Sequence, residues 1–249
     1  MLKHEREREI INILKVKGGF ASVNELCKEL YASQSSIRRD LTELENKGVI
    51  KRSYGGAELI TSFSNVVAFS KRSNYNIDAK KEIAEKASSL IKDGDIVFLD
   101  QSSTSFHLAN EITDKSSITV ITNNIEIMSL LSATNINVIS SGGVLSNRNR
   151  NCLIGTDASY IFEKTFADIM FFSSKSLSND GIISDCTREE VTLRNAMLKN
   201  ASKKVFLCDS EKIGTKSAYI QCSLDKVDYF VCEKSTGNLF SEFENLTIL

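Results

Sequence analysis

The chain has 249 residues, 41% hydrophobic and 25% charged, with six cysteines and no proline, the balance of a soluble globular protein. No apolar run nears the roughly 18 residues a bilayer demands, and the charged start MLKHEREREI lacks a signal-peptide core, so a cytoplasmic protein without a membrane span is expected. Charge is uneven: residues 1–56 hold 11 Lys+Arg against 8 Asp+Glu, and the remaining 193 hold 20 against 24, as if a small basic unit meets a polyanion and a larger acidic one does not.

In chain order, Ile10, Ile11, Ile13 and Leu14, with Leu2, fall at helical spacing and predict a helix over Lys3–Lys17, ended by Gly18 and Gly19. A second short helix follows Ser22 (SVNELCKELY), where Glu25 completes a capping box. After a break at Tyr31-Ala32, Ser33 caps a third helix from Gln34 to Asn46, with Gly48 just past its end. Ile37, Leu41 and Leu44 at i, i+4, i+7 give that helix a buried face. At 100° per residue Arg39 lies nearly opposite, near Ser35, Thr42 and Asn46, while Arg38 sits on the flank and Asp40 orients an arginine or nearby backbone. Val49–Gly56 reads as a short basic hairpin containing Lys51 and Arg52. In a helix-turn-helix the start of the second helix enters the major groove; small residues let it approach, the helix N-terminus favours phosphate, and arginine pairs with guanine or clamps phosphate. The competing readings are a solvated helix face, against which the three short helices, the capped third one and the basic wing weigh, and a winged helix that binds protein, against which the Arg38-Arg39 and Lys51-Arg52 pairs weigh.

Within Arg8–Ala57, the run ELCKELYASQSSIRRDLTELENKGVIKRSYGGA resembles the winged helix-turn-helix of DeoR-type transcriptional regulators. The resemblance rests on Ser-x-x-[Thr/Ser]-Ile-Arg-Arg-Asp-Leu, then Leu-Glu-x-x-Gly and Arg-x-x-Gly-Gly-Ala. Ser36 stands where threonine is usual and Tyr54 where histidine is usual; both keep a hydrogen-bonding group, so they bear on operator sequence rather than on DNA binding. The expected DNA-facing set is Ser33, Gln34, Ser35, Ser36, Arg38, Arg39, Thr42, Lys51, Arg52 and Tyr54, acting on a double-stranded operator from a homo-oligomer, dimer or tetramer.

LITSFSNVVAFSKRSNYN (59–76) shows no sustained period and reads as a connection, giving a DNA-binding domain 1–57, a linker 58–75 and a second domain 76–249. The helix KKEIAEKASSLIKDG then leads into DIVFLD, and SITVITN, INVIS, ADIMFF, KVFLCD and DYFVC follow, mostly separated by helical segments. Such alternation predicts a mainly parallel sheet covered by helices. Polar groups end its strands: Asp100-Gln101-Ser102-Ser103-Thr104, Thr122-Asn123-Asn124, Ser141-Gly142-Gly143, and Asp209 with Lys212. In an open parallel sheet these ends share the ligand-binding edge. Amides, hydroxyls and Lys212 suit a phosphate, and Asp100 and Asn123 suit sugar hydroxyls. Each motif alone is most often a helix cap; four together favour a polyol-phosphate pocket.

From Arg72 to Val231 the order of motifs (K-x-x-IA-x-x-A, DGD-I-x-x-LD-x-x-ST, TN, GG-x-L, D-x-x-F/M-F, D-G-I, D-S-x-K-x-G) is similar to the C-terminal sensor domain of the same family. The resemblance implies a Rossmann-like α/β fold related to ribose-5-phosphate isomerase and CoA transferases, and a phosphorylated sugar or related metabolite as effector. Carried over by position, Asp100, Ser102, Ser103, Thr104, Thr122, Asn123, Gly142, Gly143 and Lys212 line the pocket. Arg148 approaches the phosphate from a flexible segment, Lys175 in SSKSLSNDG alters which effector fits, and Glu189 either faces the pocket or caps a helix. The chain is therefore expected to be a repressor of sugar metabolism with no cofactor. No metal is expected either, since no cysteines form a CxxC pair and only His4 and His107 accompany them. The alternative is a sugar-phosphate isomerase: Asp100, Asp180, Asp209 and Glu189 are bases by residue type, but nothing sets one beside a stabilising cation.

Overall fold

The computed structural model describes residues 3–17, 20–53, 55–59 and 69–249. The chain divides into two compact units, Met1–Val67 and Ala68–Leu249.

In the first unit, α1 (Lys3–Val16), α2 (Val23–Leu30) and α3 (Gln34–Asn46) pack around Ile10, Leu14, Leu26, Ile37, Leu41 and Leu44. The capping box at Ser22 is formed in both directions: Glu25 N donates to Ser22 Oγ (3.2 Å) and Ser22 N to Glu25 Oε2 (2.8 Å). The turn between α2 and α3 is made by Tyr31 at φ 49°, a left-handed residue in a place glycine usually takes. The hairpin of β2 (Ile50–Ser53) and β3 (Gly56–Leu59) gains a third antiparallel strand, β1 (Phe20–Ser22), in the order β1-β3-β2. Sequence periodicity gives no sign of β1, which is three residues long. Its close approach explains Gly56: a Cβ there would stand 2.5 Å from the Ala21 carbonyl oxygen. Leu2, Gly18, Gly19 and Tyr54 lie outside the described residues.

In the second unit, α4 (Phe69–Ser73) and α5 (Ile77–Ser88) precede the strands β4 (Ile96–Leu99), β5 (Thr119–Thr122), β6 (Asn137–Ser140), β9 (Ala167–Phe172), β12 (Ala201–Leu207), β14 (Tyr229–Val231) and β15 (Thr247–Ile248). Among the described residues these form one parallel sheet in the order β15-β14-β12-β9-β4-β5-β6. The central strands bury alternate residues on opposite faces, as parallel strands between helices do. Val97, Leu99, Ile169, Phe171, Val205 and Leu207 pack with α5, α6 (Ser103–Glu111) and α7 (Ile125–Leu131). Phe98, Met170, Phe172 and Phe206 pack with α8 (Thr156–Lys164) and α9 (Arg188–Lys199), and with residues of the antiparallel sheet of β10 (Ser176–Leu177), β11 (Ile182–Asp185) and β13 (Tyr219–Ser223).

The sheet grows from β4 through β5 to β6, then returns to place β9 on the other side of β4. That reversal is the topological switch point, where α/β sheets open a crevice for ligands. A small hairpin, β7 (Val144–Leu145) with β8 (Leu153–Ile154), folds back over this edge: Leu153 N donates to Asn123 O at 2.9 Å. The helix α4 lies in a stretch whose sequence carries no period, and Phe69 anchors it edge-on to Phe106, 5.7 Å between ring centroids.

Candidate nucleic-acid interface and effector site

The start of α3 is organised by its cap. Ser33 Oγ accepts from Ser36 N at 3.3 Å and lies 3.0 Å from the hydroxyls of both Ser35 and Ser36. Burial of Ile37, Leu41 and Leu44 turns Arg38 and Arg39 outward, and neither guanidinium has a partner among the described residues. Asp40 is 1% exposed and accepts from Arg6 Nε (2.5 Å) and Nη2 (3.2 Å), bracing α1 on α3. Three expected DNA-facing residues are exposed yet engaged inside the unit. Gln34 Nε2 donates to Asn24 Oδ1 at 2.9 Å, and Arg52 Nη1 donates to Thr42 Oγ1 at 2.9 Å, folding the wing arginine onto α3. Lys51, one residue earlier, is exposed. The unit thus offers outward cations around a helix N-terminus.

At the switch point of the second unit, Asp100 follows β4 and is fully buried. Its Oδ1 accepts from Ser102 N (3.1 Å) and Ser105 Oγ (2.7 Å); its Oδ2 accepts from Ser173 N (3.3 Å) and lies 3.1 Å from Arg194 Nε. Both Asp100 oxygens are committed to holding loops together. Ser102 caps α6 through Ser105 N (3.0 Å), and Ser103 and Thr104 are buried beside it, with Thr104 Oγ1 unpartnered among the described residues. Thr122 Oγ1 accepts from Asn124 N at 3.1 Å, and Asn123 Nδ2 donates to Leu153 O at 3.0 Å. Gly142 and Gly143 are exposed at φ 68° and 98°; a Cβ on Gly143 would stand 2.6 Å from Ile154 O, so only glycine lets this loop lie against β8. Lys212 Nζ donates to Ser173 Oγ (2.9 Å) and stands 3.1 Å from Asp209 Oδ2. Burial opposes both charges, but each outweighs it for the other: the Asp209 carboxyl is held below its ordinary range and the Lys212 ammonium above it. Arg148 and Lys175 are exposed.

Four groups outside the expected pocket set are also buried and engaged. Arg194 of α9 is 1% exposed, with Nη2 2.6 Å from Asp185 Oδ2 and 3.6 Å from Glu190 Oε2, and Nη1 donating to Gln221 Oε1 at 2.9 Å. Burial disfavours its charge, yet the surrounding carboxylates raise it above the ordinary arginine range. Glu190, not Glu189, turns inward: Glu189 is exposed, while Glu190 accepts from Gln101 Nε2 (3.1 Å) and Asn149 Nδ2 (3.0 Å). The available signal was Glu190, Arg194 and Met197 at i, i+4, i+7, two charges in register with a core methionine. Lys80, the lysine of K-x-x-IA-x-x-A, is 3% exposed and donates to the carbonyls of Arg72 and of Tyr75 (2.5 Å), at the end of α4. His107 Nε2 lies 3.0 Å from Ser73 O, and Tyr75 bonds Glu211, so α4 is held by residues of α5, α6 and the Ser210–Lys212 turn.

Two family models cover most of the chain: the DeoR C-terminal sensor domain matches residues 75–234 and the DeoR-like helix-turn-helix domain matches residues 6–63. The chain is 30% identical over 233 residues to the HTH-type transcriptional regulator GlpR of Haloferax volcanii, covering 94% of this chain and 91% of that one. It is 32% identical over 247 residues to the HTH-type transcriptional regulator GolR of Listeria innocua (98% and 96%), and 32% identical over 237 residues to the lactose phosphotransferase system repressor of Staphylococcus aureus (94% and 93%). Among solved structures, ribose 5-phosphate isomerase A of Methanocaldococcus jannaschii aligns with a TM-score of 0.41 at 21% identity, over 55% of each chain.

Proposed function

The chain belongs to the DeoR family of transcriptional regulators, and from that premise we propose that it is a DNA-binding repressor of a sugar-metabolism operon, tuned by a phosphorylated sugar or related metabolite held at the strand ends of its second unit. The observation that carries the effector half is the switch-point edge. There Lys212, the capped start of α6, and Thr104 Oγ1 and Asn123 Oδ1, unpartnered among the described residues, follow the ends of β12, β4 and β5. A cation and a helix N-terminus take the phosphate. The unpartnered oxygens take hydroxyls.

On the DNA side, Ser33, Ser35 and Ser36 line the approach, Arg39 enters the major groove, and Arg38 and Lys51 meet phosphates. Two or more copies act together, because one module of this size gives limited affinity and specificity. Coupling of ~1–3 kcal/mol between effector and operator is the ordinary size of such a switch. Its work on DNA, with no described helix long and apolar enough to cross a membrane, fits the cytoplasm.

Turnover is not part of the proposal. The isomerase alternative needs a carboxylate able to take a proton from substrate carbon. Asp100 is bonded through both oxygens and Asp209 is paired with Lys212, while Asp180 and Glu189 are exposed.

A gel shift on DNA upstream of the chain's own gene, with a panel of sugar phosphates, tests the reading. Lys212→Met is expected to keep operator binding and lose the effector response. A normal response in that variant removes Lys212 from the pocket, and turnover of any panel member revives the isomerase.

A further inference from the structure

The side-chain amides at the switch point can be oriented from their neighbours alone. A carboxylate only accepts, so the Glu190 oxygens fix which end of each amide faces them: Gln101 Nε2 at 3.1 Å and Asn149 Nδ2 at 3.0 Å. With its amino group committed, Gln101 turns Oε1 toward Asn123 Nδ2 at 3.4 Å, and the Leu153 carbonyl, 3.0 Å from the same nitrogen, enforces the same choice. The orientation of Asn149 thus descends from one buried carboxylate, 3.6 Å from Arg194, while that of Asn123 is held jointly by the Leu153 carbonyl and by Gln101, which the same carboxylate orients. The consequence lies at the far ends. Asn123 Oδ1 and Asn149 Oδ1 are acceptors on side chains at 0% and 2% exposure, and neither has a donor among the described residues.

We propose that Glu190 is a positioning residue that sets the hydrogen-bonding polarity of the effector pocket, presenting the oxygens of Asn123 and Asn149 as acceptors for the uncharged, hydroxyl-bearing end of a polyol phosphate. This rests on the effector reading above and narrows its ligand class. Buried acceptors without donors are costly, and hydroxyls supply donors where a carboxylate cannot. Charge points the same way. Asp100, Asp185 and Glu190 surround the single guanidinium of Arg194, so a ligand carboxylate arriving there meets an excess of negative charge.

The test uses matched pairs of three to six carbons, each a polyol phosphate beside the acid of the same skeleton, such as glycerol 3-phosphate with 3-phosphoglycerate and glucitol 6-phosphate with 6-phosphogluconate. Binding to the full chain is measured by calorimetry, and the readout is the polyol-to-acid affinity ratio, which a general loss of stability does not move. At the chain length that binds, the wild-type protein is expected to prefer the polyol at least tenfold. Glu190→Gln, whose amide can present either end, is expected to cut that ratio by about tenfold. Asn149→Leu, which leaves Arg194 its three carboxylates, removes one acceptor and narrows the ratio less. Equal wild-type affinity for both members, or an unchanged ratio in both variants, overturns the proposal and leaves the effector reading standing. Failure of every pair and every other sugar phosphate to bind the wild-type chain overturns both.

Discussion

On α3 the guanidiniums of Arg38 and Arg39 stand in solvent, whereas on α9 that of Arg194 is 1% exposed and meets Asp100, Asp185 and Glu190. The difference lies in what each charge has given up. An exposed cation keeps its hydration and adds little to stability, but it is ready for a polyanion and its attraction fades with salt. A buried one has lost its water and is bound to its partners; it adds little net stability by existing, but removing it leaves carboxylates stranded. The first unit holds charge ready for a partner, and the second spends it on positioning uncharged groups.

The largest expected effect attacks the buried side. Arg194→Met is expected to cost about 3–5 kcal/mol in denaturant unfolding, because three carboxylates lose their cation in a desolvated place. A loss under about 1 kcal/mol would mean that water reaches the cluster and the contrast between the helices is false. Next, Arg39→Ala is expected to weaken the operator by about 1–3 kcal/mol and relax its sequence preference, with an unchanged unfolding midpoint. Equal loss on all sequences would make Arg39 a phosphate contact instead. The smallest effect is Lys51→Ala. Titrations at several salt concentrations are expected to give a similar modest weakening on every duplex, and a slope of log affinity against log salt shallower by about one.

Local features were legible in the sequence and distant ones were not. The Gln34–Asn46 bounds, the Ser33 cap and the Ser22–Glu25 box depend on residues within a few positions, and the structure has all three. The strands β4, β5, β9 and β12 announced themselves as apolar runs with polar ends. β1 and α4 escaped because three and five residues are too few to show a period. The internal engagement of Asp100 was not legible, since it comes from Arg194 and Ser173, far along the chain. The inward turn of Glu190 went unread because it sits at a helix start, where periodicity decides least. The direction of the Asn149 amide depends on a carboxylate of α9, and that of Asn123 on the Leu153 carbonyl as well.

The grip of Lys80 on α4 makes this part of the fold alkaline-tolerant. Burial, aided by the nearby Lys212 charge, holds the Lys80 amine down to about 7 against an ordinary 10.5. The unfolded chain therefore carries a proton there between those values that the folded chain has released, and the stability tied to this site rises as pH climbs from about 7 towards 10.5. Thermal unfolding across that range is expected to show the rise, and Lys80→Met to flatten it. Losing the proton does not open the grip, because a neutral amine retains two hydrogens, one for the carbonyl of Arg72 and one for that of Tyr75.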